Sequence, residues 1–183
     1  MSADRYCLYD ADDLHAVIES MARQTVALLD ATPTTLLGLL RRGAPLAQRL
    51  AEAVRRLAPD ADLACADLLV KRYADNLELL YPQTHLEAAP DLVLRGRRVI
   101  VVDDVLYQGL SLFRVFEWLR TQEAAAAHAA VLVDRQRYVV PIRADIVGVT
   151  LKIAPGDVIE CNVPPYETEF AIDLWRPGAG DQR

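Results

Sequence analysis

The sequence predicts an α/β protein, with a mostly parallel central sheet flanked by helices and a small C-terminal β hood. Three observations carry this expectation. Apolar runs such as Val99-Ile100-Val101-Val102 are too short for a helix and too continuous for a half-exposed strand, so they read as strands buried on both faces. Segments with helical apolar spacing lie between such runs, an alternation that implies parallel strands with crossover helices. Near the end, "DVIECNV" and "ETEFAIDLW" at 157–175, joined by "PPY", read as an antiparallel hairpin.

Taken in order, Asp10 or Asp12 can cap a helix whose apolar face is Leu14, Val17, Ile18, Met21, Thr25 and Leu28. His15 on that helix has no partner one turn on and reads as a surface residue. "TPTTLLGLL" at 32–40 is the next strand, broken by Gly43 and followed by a helix from about Pro45 to Leu57, since proline suits a first turn. "ADLLVKRY" at 66–73 is a third strand, and 74–96 is irregular, proline-punctuated and placed for an excursion from the sheet. After the 99–102 strand comes a helix to about Ala125 with Leu112, Val115, Phe116 and Leu119 on one face, then a strand at 129–134 and a short one within 144–153.

A length of 183 residues and 52% hydrophobic content suit one folded domain, here 1–175, with the hood largely 144–175 and a flexible tail at 176–183. The net charge of −6 opposes a general nucleic-acid coat. Cys7, Cys65 and Cys161 are odd in number and lack metal-ligand spacing, which suggests reduced thiols. The start "MSADRYCLYD" has no apolar signal core and no segment is long enough to cross a bilayer, so the expectation is a cytoplasmic protein.

The chemistry centres on Asp103 and Asp104. Two adjacent carboxylates at the end of a buried strand, followed by a glycine turn and a helix, lie where open α/β sheets bind ligands. Alone, the pair also reads as a solvated turn, and Arg41-Arg42-Gly43 alone reads as a solvated basic turn. The strand-loop-helix context favours binding in both cases.

"VIVVDDVLYQGLS" at 99–111 resembles the 5-phosphoribosyl-1-pyrophosphate (PRPP) motif of type I phosphoribosyltransferases. "DDVLY" with "AAVLVDRQRYVVPIRADIVG" at 129–148 resembles more closely the PyrR family of uracil phosphoribosyltransferases and pyrimidine-operon regulators. "LLGLLRRGAPLAQRLAEAV" resembles that family's pyrophosphate loop and following helix, and "VKRYADN" the root of its flexible catalytic loop. The likeness covers nearly the whole chain.

The resemblance implies a type I phosphoribosyltransferase fold and a set of roles. Asp103 and Asp104 would contact the ribose hydroxyls, as strong acceptors able to answer positive charge on the sugar. Val105, Leu106, Tyr107, Gln108, Gly109, Leu110 and Ser111 would hold the 5′-phosphate through backbone amides at a helix N-terminus. Arg41, Arg42 and Gly43 would form the pyrophosphate loop, with Arg42 in the usual arginine position. Tyr73 and Asp75 match a Tyr-x-Asp of a loop, about 74–89, that closes over the site; Tyr73 reads equally as a half-buried strand-end aromatic. Asp145 and the backbone near Val147 would border the base pocket, and Arg143 reads as a structural ion-pair residue. Mg²⁺ would travel with the pyrophosphate, with no dedicated protein ligands. The implied substrates are PRPP and a pyrimidine, the implied assembly a homodimer; an RNA-binding regulator or a non-catalytic ligand-binding protein are the alternatives.

The chain also departs from the family. Gln108-Gly109-Leu110-Ser111 stands for Thr-Gly-Arg-Thr, Arg41 for a threonine, Ala74 for an arginine, Arg137-Tyr138 for His-Arg, and Val149-Thr150 for Lys-Asn.

Overall fold

A computed structural model describes residues 4–72 and 84–176. The elements run β1 (Asp4–Tyr9), α1 (Ala11–Val26), β2 (Thr34–Leu40), α2 (Gly43–Leu57), β3 (Leu63–Arg72), β4 (Thr84–Ala88) and β5 (Arg98–Leu106). Then follow α3 (Leu110–Thr121), β6 (Ala126–Asp134), β7 (Ile146–Thr150), β8 (Val158–Asn162) and β9 (Ala171–Arg176). Six strands form the main sheet in the order β4-β3-β2-β5-β6-β7, and three form the hood in the order β1-β9-β8. All pairs in the main sheet are parallel except β3 with β4. Among the described residues no helix is long and apolar enough to cross a membrane.

The strands are buried on both faces, as their composition demands. Ile100 and Val102 of β5 join the core beneath α1, α2 and the hood, while Val99 and Val101 join the core beneath α3. Asp10 caps α1 through a capping box: its side chain accepts from the N–H groups of Asp12 and Asp13, and Asp13 answers on the N–H of Asp10. Thr25 lies on the buried face of α1 because its hydroxyl donates to the Met21 carbonyl at 2.9 Å. Gly38 is required by packing. A β-carbon there would lie 2.5 Å from the Ala44 Cα, so α2 rests directly on the backbone of β2.

Several boundaries differ from those the sequence implies. β5 continues through Asp103 and Asp104 to Leu106, because β6 keeps pairing with it after β2 has left. α3 stops at Thr121, not near Ala125, where Glu123 turns the chain with φ 54°. No glycine or asparagine marks that stop. Residues 84–88 are not irregular but pair antiparallel with β3. The 146–150 strand, expected in the hood, is the parallel edge of the main sheet beside β6. Its place in the hood is taken by β1, exposed from Asp4 to Leu8, which gave no strand signal.

Candidate active site

The β2–β5 boundary is where the sheet's order reverses: β3 and β4 lie to one side, β6 and β7 to the other. Ligands of open α/β sheets bind at such a switch point, at the carboxyl ends of the strands. Here the two strands pair only as far as Gly38 and Val102, then part. A cleft of about 560 Å³ opens between them. The end of β2 contributes Leu39 and Leu40 and leads to Arg41 and Arg42; β3 contributes Leu69 and Val70; β5 contributes Asp103, Asp104 and Val105; α3 contributes Ser111.

The two acids are fixed by their own backbone. Asp103 Oδ1 accepts from the Asp104 N–H, and Asp104 Oδ1 from the Val105 N–H, each at 2.9 Å. The other oxygen of Asp104 lies 3.7 Å from Nη1 of Arg42, across the cleft. Gly43 brings Arg42 there. A β-carbon at Gly43 would collide with the Val102 carbonyl, so only glycine lets this loop lie against β5. Arg42 is the N-cap of α2 and makes no side-chain capping bond, in contrast to the capped start of α1. No side-chain cap therefore occupies the first N–H groups of α2, those of Gly43 and Ala44, next to the cleft-lining Arg42.

Residues 8–168 match the phosphoribosyl transferase domain model. The chain belongs to that family. Within it the chain is PyrR-like: it is 32% identical to the "Bifunctional protein PyrR" of Deinococcus deserti over 178 residues, 96% of this chain and 97% of that protein. It is 30% identical to the protein of the same name from Thermosynechococcus vestitus, over 93% and 94% of the two chains. In fold it is similar to a hypoxanthine phosphoribosyltransferase of Trypanosoma cruzi solved as a ternary substrates complex, with a TM-score of 0.77, 19% identity, and 96% of each chain covered.

The run from Val105 to Ser111 of this phosphoribosyltransferase-family chain is part strand, part loop and part helix. Val105 and Leu106 finish β5, Leu110 and Ser111 begin α3, and the loop is Tyr107 to Gly109. Gly109 is the N-cap of α3 with φ 83°, left-handed backbone that glycine adopts without strain. The loop is tied down from behind: the Leu106 carbonyl accepts from the Arg135 N–H at 2.9 Å, and the Gln108 carbonyl from the Val139 N–H at 3.0 Å. The Arg135 guanidinium lies 4.6 Å over the Tyr107 ring. Leu110, where relatives carry arginine, is exposed.

Of the other expected contributors, Gly43 and Leu106 to Leu110 adjoin the cleft-lining residues without lining the cleft themselves, and Asp145 and Val147 lie farther off in the fold. Asp145 sits at the start of β7, level with the middle of the sheet, where its carboxylate accepts from the Ala129 N–H at 3.0 Å and lies 3.2 Å from Nδ1 of His128. The Val147 backbone is held on both its N–H and its carbonyl by the Gln24 amide of α1, at 3.1 and 3.0 Å. Neither lines the cleft. Arg143 does not pair with Asp145; its guanidinium lies 4.9 Å over the ring of Tyr138. Tyr138 in turn donates to the buried Asp134 at 2.6 Å, an anchor the family's arginine at that place gives way to here. Tyr73 and Asp75, and most of the proposed closing loop, lie outside the described residues.

Sequence reasoning missed Tyr166 and Glu167 in the hood turn. Glu167 Oε1 accepts from both Nε and Nη2 of Arg42, at 3.1 and 2.7 Å, while its Oε2 accepts from the Val163 N–H at 2.8 Å. The Arg42 guanidinium holds the Glu167 carboxyl below the usual glutamate range. Arg41 lies 4.8 Å over the Tyr166 ring. Nothing in "PPYETEF" marks these residues, because their partners are some 125 positions away. Beneath them, burial pushes the Cys161 thiol well above its ordinary value, and the charge of Asp104 adds to the effect.

Proposed function

We propose that this protein transfers the 5-phosphoribosyl group of PRPP to a pyrimidine base such as uracil, releasing pyrophosphate. The observation that carries the reading is the parting of β2 from β5, which sets Asp103 and Asp104 across one cleft from Arg41 and Arg42. In this reading the base nitrogen bonds to C1 of the ribose, the C1–O bond to pyrophosphate breaks, and the N–H proton of the base passes to water or to the departing pyrophosphate. The transition state carries oxocarbenium character, which the paired carboxylates favour electrostatically. Arg42 receives the departing diphosphate with a planar donor edge that suits two oxygens. The loop from Tyr107 to Gly109 and the first turn of α3, with Ser111, take the 5′-phosphate. Tyr73 and Asp75 belong to the loop that closes over the site.

Asp103 and Asp104 also fit magnesium, which takes one or two carboxylates and draws its other oxygens from substrate phosphate and water. Bound with PRPP, such an ion would offset the charge that builds on the leaving group. A homodimer in the cytoplasm completes the reading, on the family resemblance.

Incubation with PRPP, Mg²⁺ and a panel of free bases, read by pyrophosphate release, tests it. Release only in the presence of a pyrimidine is the expected result, and no release with any base of the panel overturns catalysis in favour of ligand binding. The relatives' name, "Bifunctional protein PyrR", favours a second role beside the transfer reaction, which on the family resemblance is nucleotide-sensing RNA binding. RNA affinity that falls steeply with salt would support it.

A further inference from the structure

Both arginines at the cleft are engaged by neighbouring residues of one hood turn, Arg41 by Tyr166 and Arg42 by Glu167. The Glu167 carboxylate does not depend on Arg42 for its own position. Its Oε2 is held by the Val163 N–H, and the N–H groups of Tyr166 and Glu167 both reach back to the Val163 carbonyl, at 3.1 and 3.4 Å. The turn is closed on itself and presents one oxygen outward.

A guanidinium has two usable edges. Nε and Nη2 form the side edge, and Nη1 with the remaining Nη2 hydrogen forms the end edge. Glu167 takes the side edge alone, through a single oxygen. On the end edge, Nη1 lies 3.7 Å from Asp104, too far for a good hydrogen bond. Arg42 is thus gripped from behind and offers its second edge to the cleft. Freed from Glu167, its strongest nearby acceptor is Asp104, and closing that gap would point the guanidinium away from a diphosphate.

We propose that Glu167 is a positioning residue for the leaving group: it fixes Arg42 so that the end edge meets the diphosphate of PRPP and cannot collapse onto Asp104. This rests on the functional reading given above. It differs from simple competition, in which Glu167 occupies the donors that pyrophosphate needs, because the two partners use different edges.

The test is calorimetric titration of the parent, Glu167→Ala and Glu167→Gln with Mg²⁺-pyrophosphate, Mg²⁺-PRPP and uridine 5′-monophosphate, which lacks the diphosphate. Glu167→Ala should bind pyrophosphate and PRPP about ten-fold more weakly, the worth of one charge-assisted hydrogen bond, and bind the monophosphate as the parent does. In turnover, KM for PRPP should rise more than kcat falls. Glu167→Gln keeps an acceptor for the side edge and should recover most of the loss. Equal or tighter pyrophosphate binding by Glu167→Ala overturns the proposal, as does equal loss of the monophosphate, which would mark a purely structural role for the turn. A parent that binds neither PRPP nor pyrophosphate overturns the functional reading first and this proposal with it.

Discussion

Gly43 lies so close against the carbonyl oxygen of Val102 that no β-carbon fits between them. The contact joins the arginine loop to the strand that carries the acids, so the spacing across the cleft is set by backbone on backbone. Gly43→Ala should therefore act twice. Overpacking at a contact this tight should cost about 1–3 kcal/mol, read as a lower urea midpoint. It should also shift Arg42 and weaken PRPP binding more than nucleoside monophosphate binding. A variant with parental stability would show that the loop has room to move.

Asp103 and Asp104 each hold a backbone N–H of the next residue with one oxygen. Asparagine can keep that bond through its own carbonyl, so the double change Asp103→Asn with Asp104→Asn should leave the fold intact. PRPP turnover should fall by an order of magnitude or more, about a few kcal/mol at most. Parental turnover in the double variant would remove these carboxylates from the site.

The Tyr107 to Gly109 loop, proposed to take the 5′-phosphate, depends on its backbone more than on its side chains. Gly109 holds the turn, and α3 starts immediately after it. The family's threonine hydroxyl is missing, worth about 1.5–3 kcal/mol as a charge-assisted hydrogen bond. Restoring Gln108→Thr with Leu110→Arg should strengthen PRPP or 5′-phosphate nucleotide binding by roughly ten- to a hundred-fold. Calorimetry is the measure. Unchanged affinity would mean that this loop is shaped for a different ligand.

Acid should open the hood clasp in a defined direction. Arg42 holds the Glu167 carboxyl below its ordinary value, so the folded state binds that proton more weakly than the unfolded chain. The contribution is complete above the ordinary glutamate value of about 4.3 and is lost as pH falls through the lower folded value. The pair is partly solvated, which limits it to about 1 kcal/mol. The urea midpoints of the parent and Glu167→Gln should differ at pH 7 and converge as the pH drops below 4.3 or so. A gap that stays constant into strong acid would remove the ion pair as its cause.

Much of the fold is legible because it follows from local chemistry. Val99 to Val102 announce a strand buried on both faces, and Asp10, one of two candidate caps, marks the start of α1. Arg41, Arg42, Asp103, Asp104, Val105 and Ser111 were placed together by motif, and they line one cleft. What escaped depends on distant partners. β1 is exposed from Asp4 to Leu8 and becomes a strand only because β9 pairs with it. Asp145 takes its partners, His128 and the Ala129 N–H, from the neighbouring strand, which the sequence does not mark. Glu167 gains its meaning from Arg42, across most of the chain. Short-range periodicity carries no information about such pairs.

The pairing of β1 with β9 also sets an order of events during synthesis. Arg5 must wait for Asp173, 168 positions later, before its ion pair can form. The strands from β2 to β7 find their sheet partners within the chain already made, whereas the hood stays open until the last of its three strands leaves the ribosome. A growing chain can therefore set the backbone that carries its acids and arginines well before the turn that steadies the Arg42 side chain has emerged. Ligand affinity should arrive late, with the final strand of the hood.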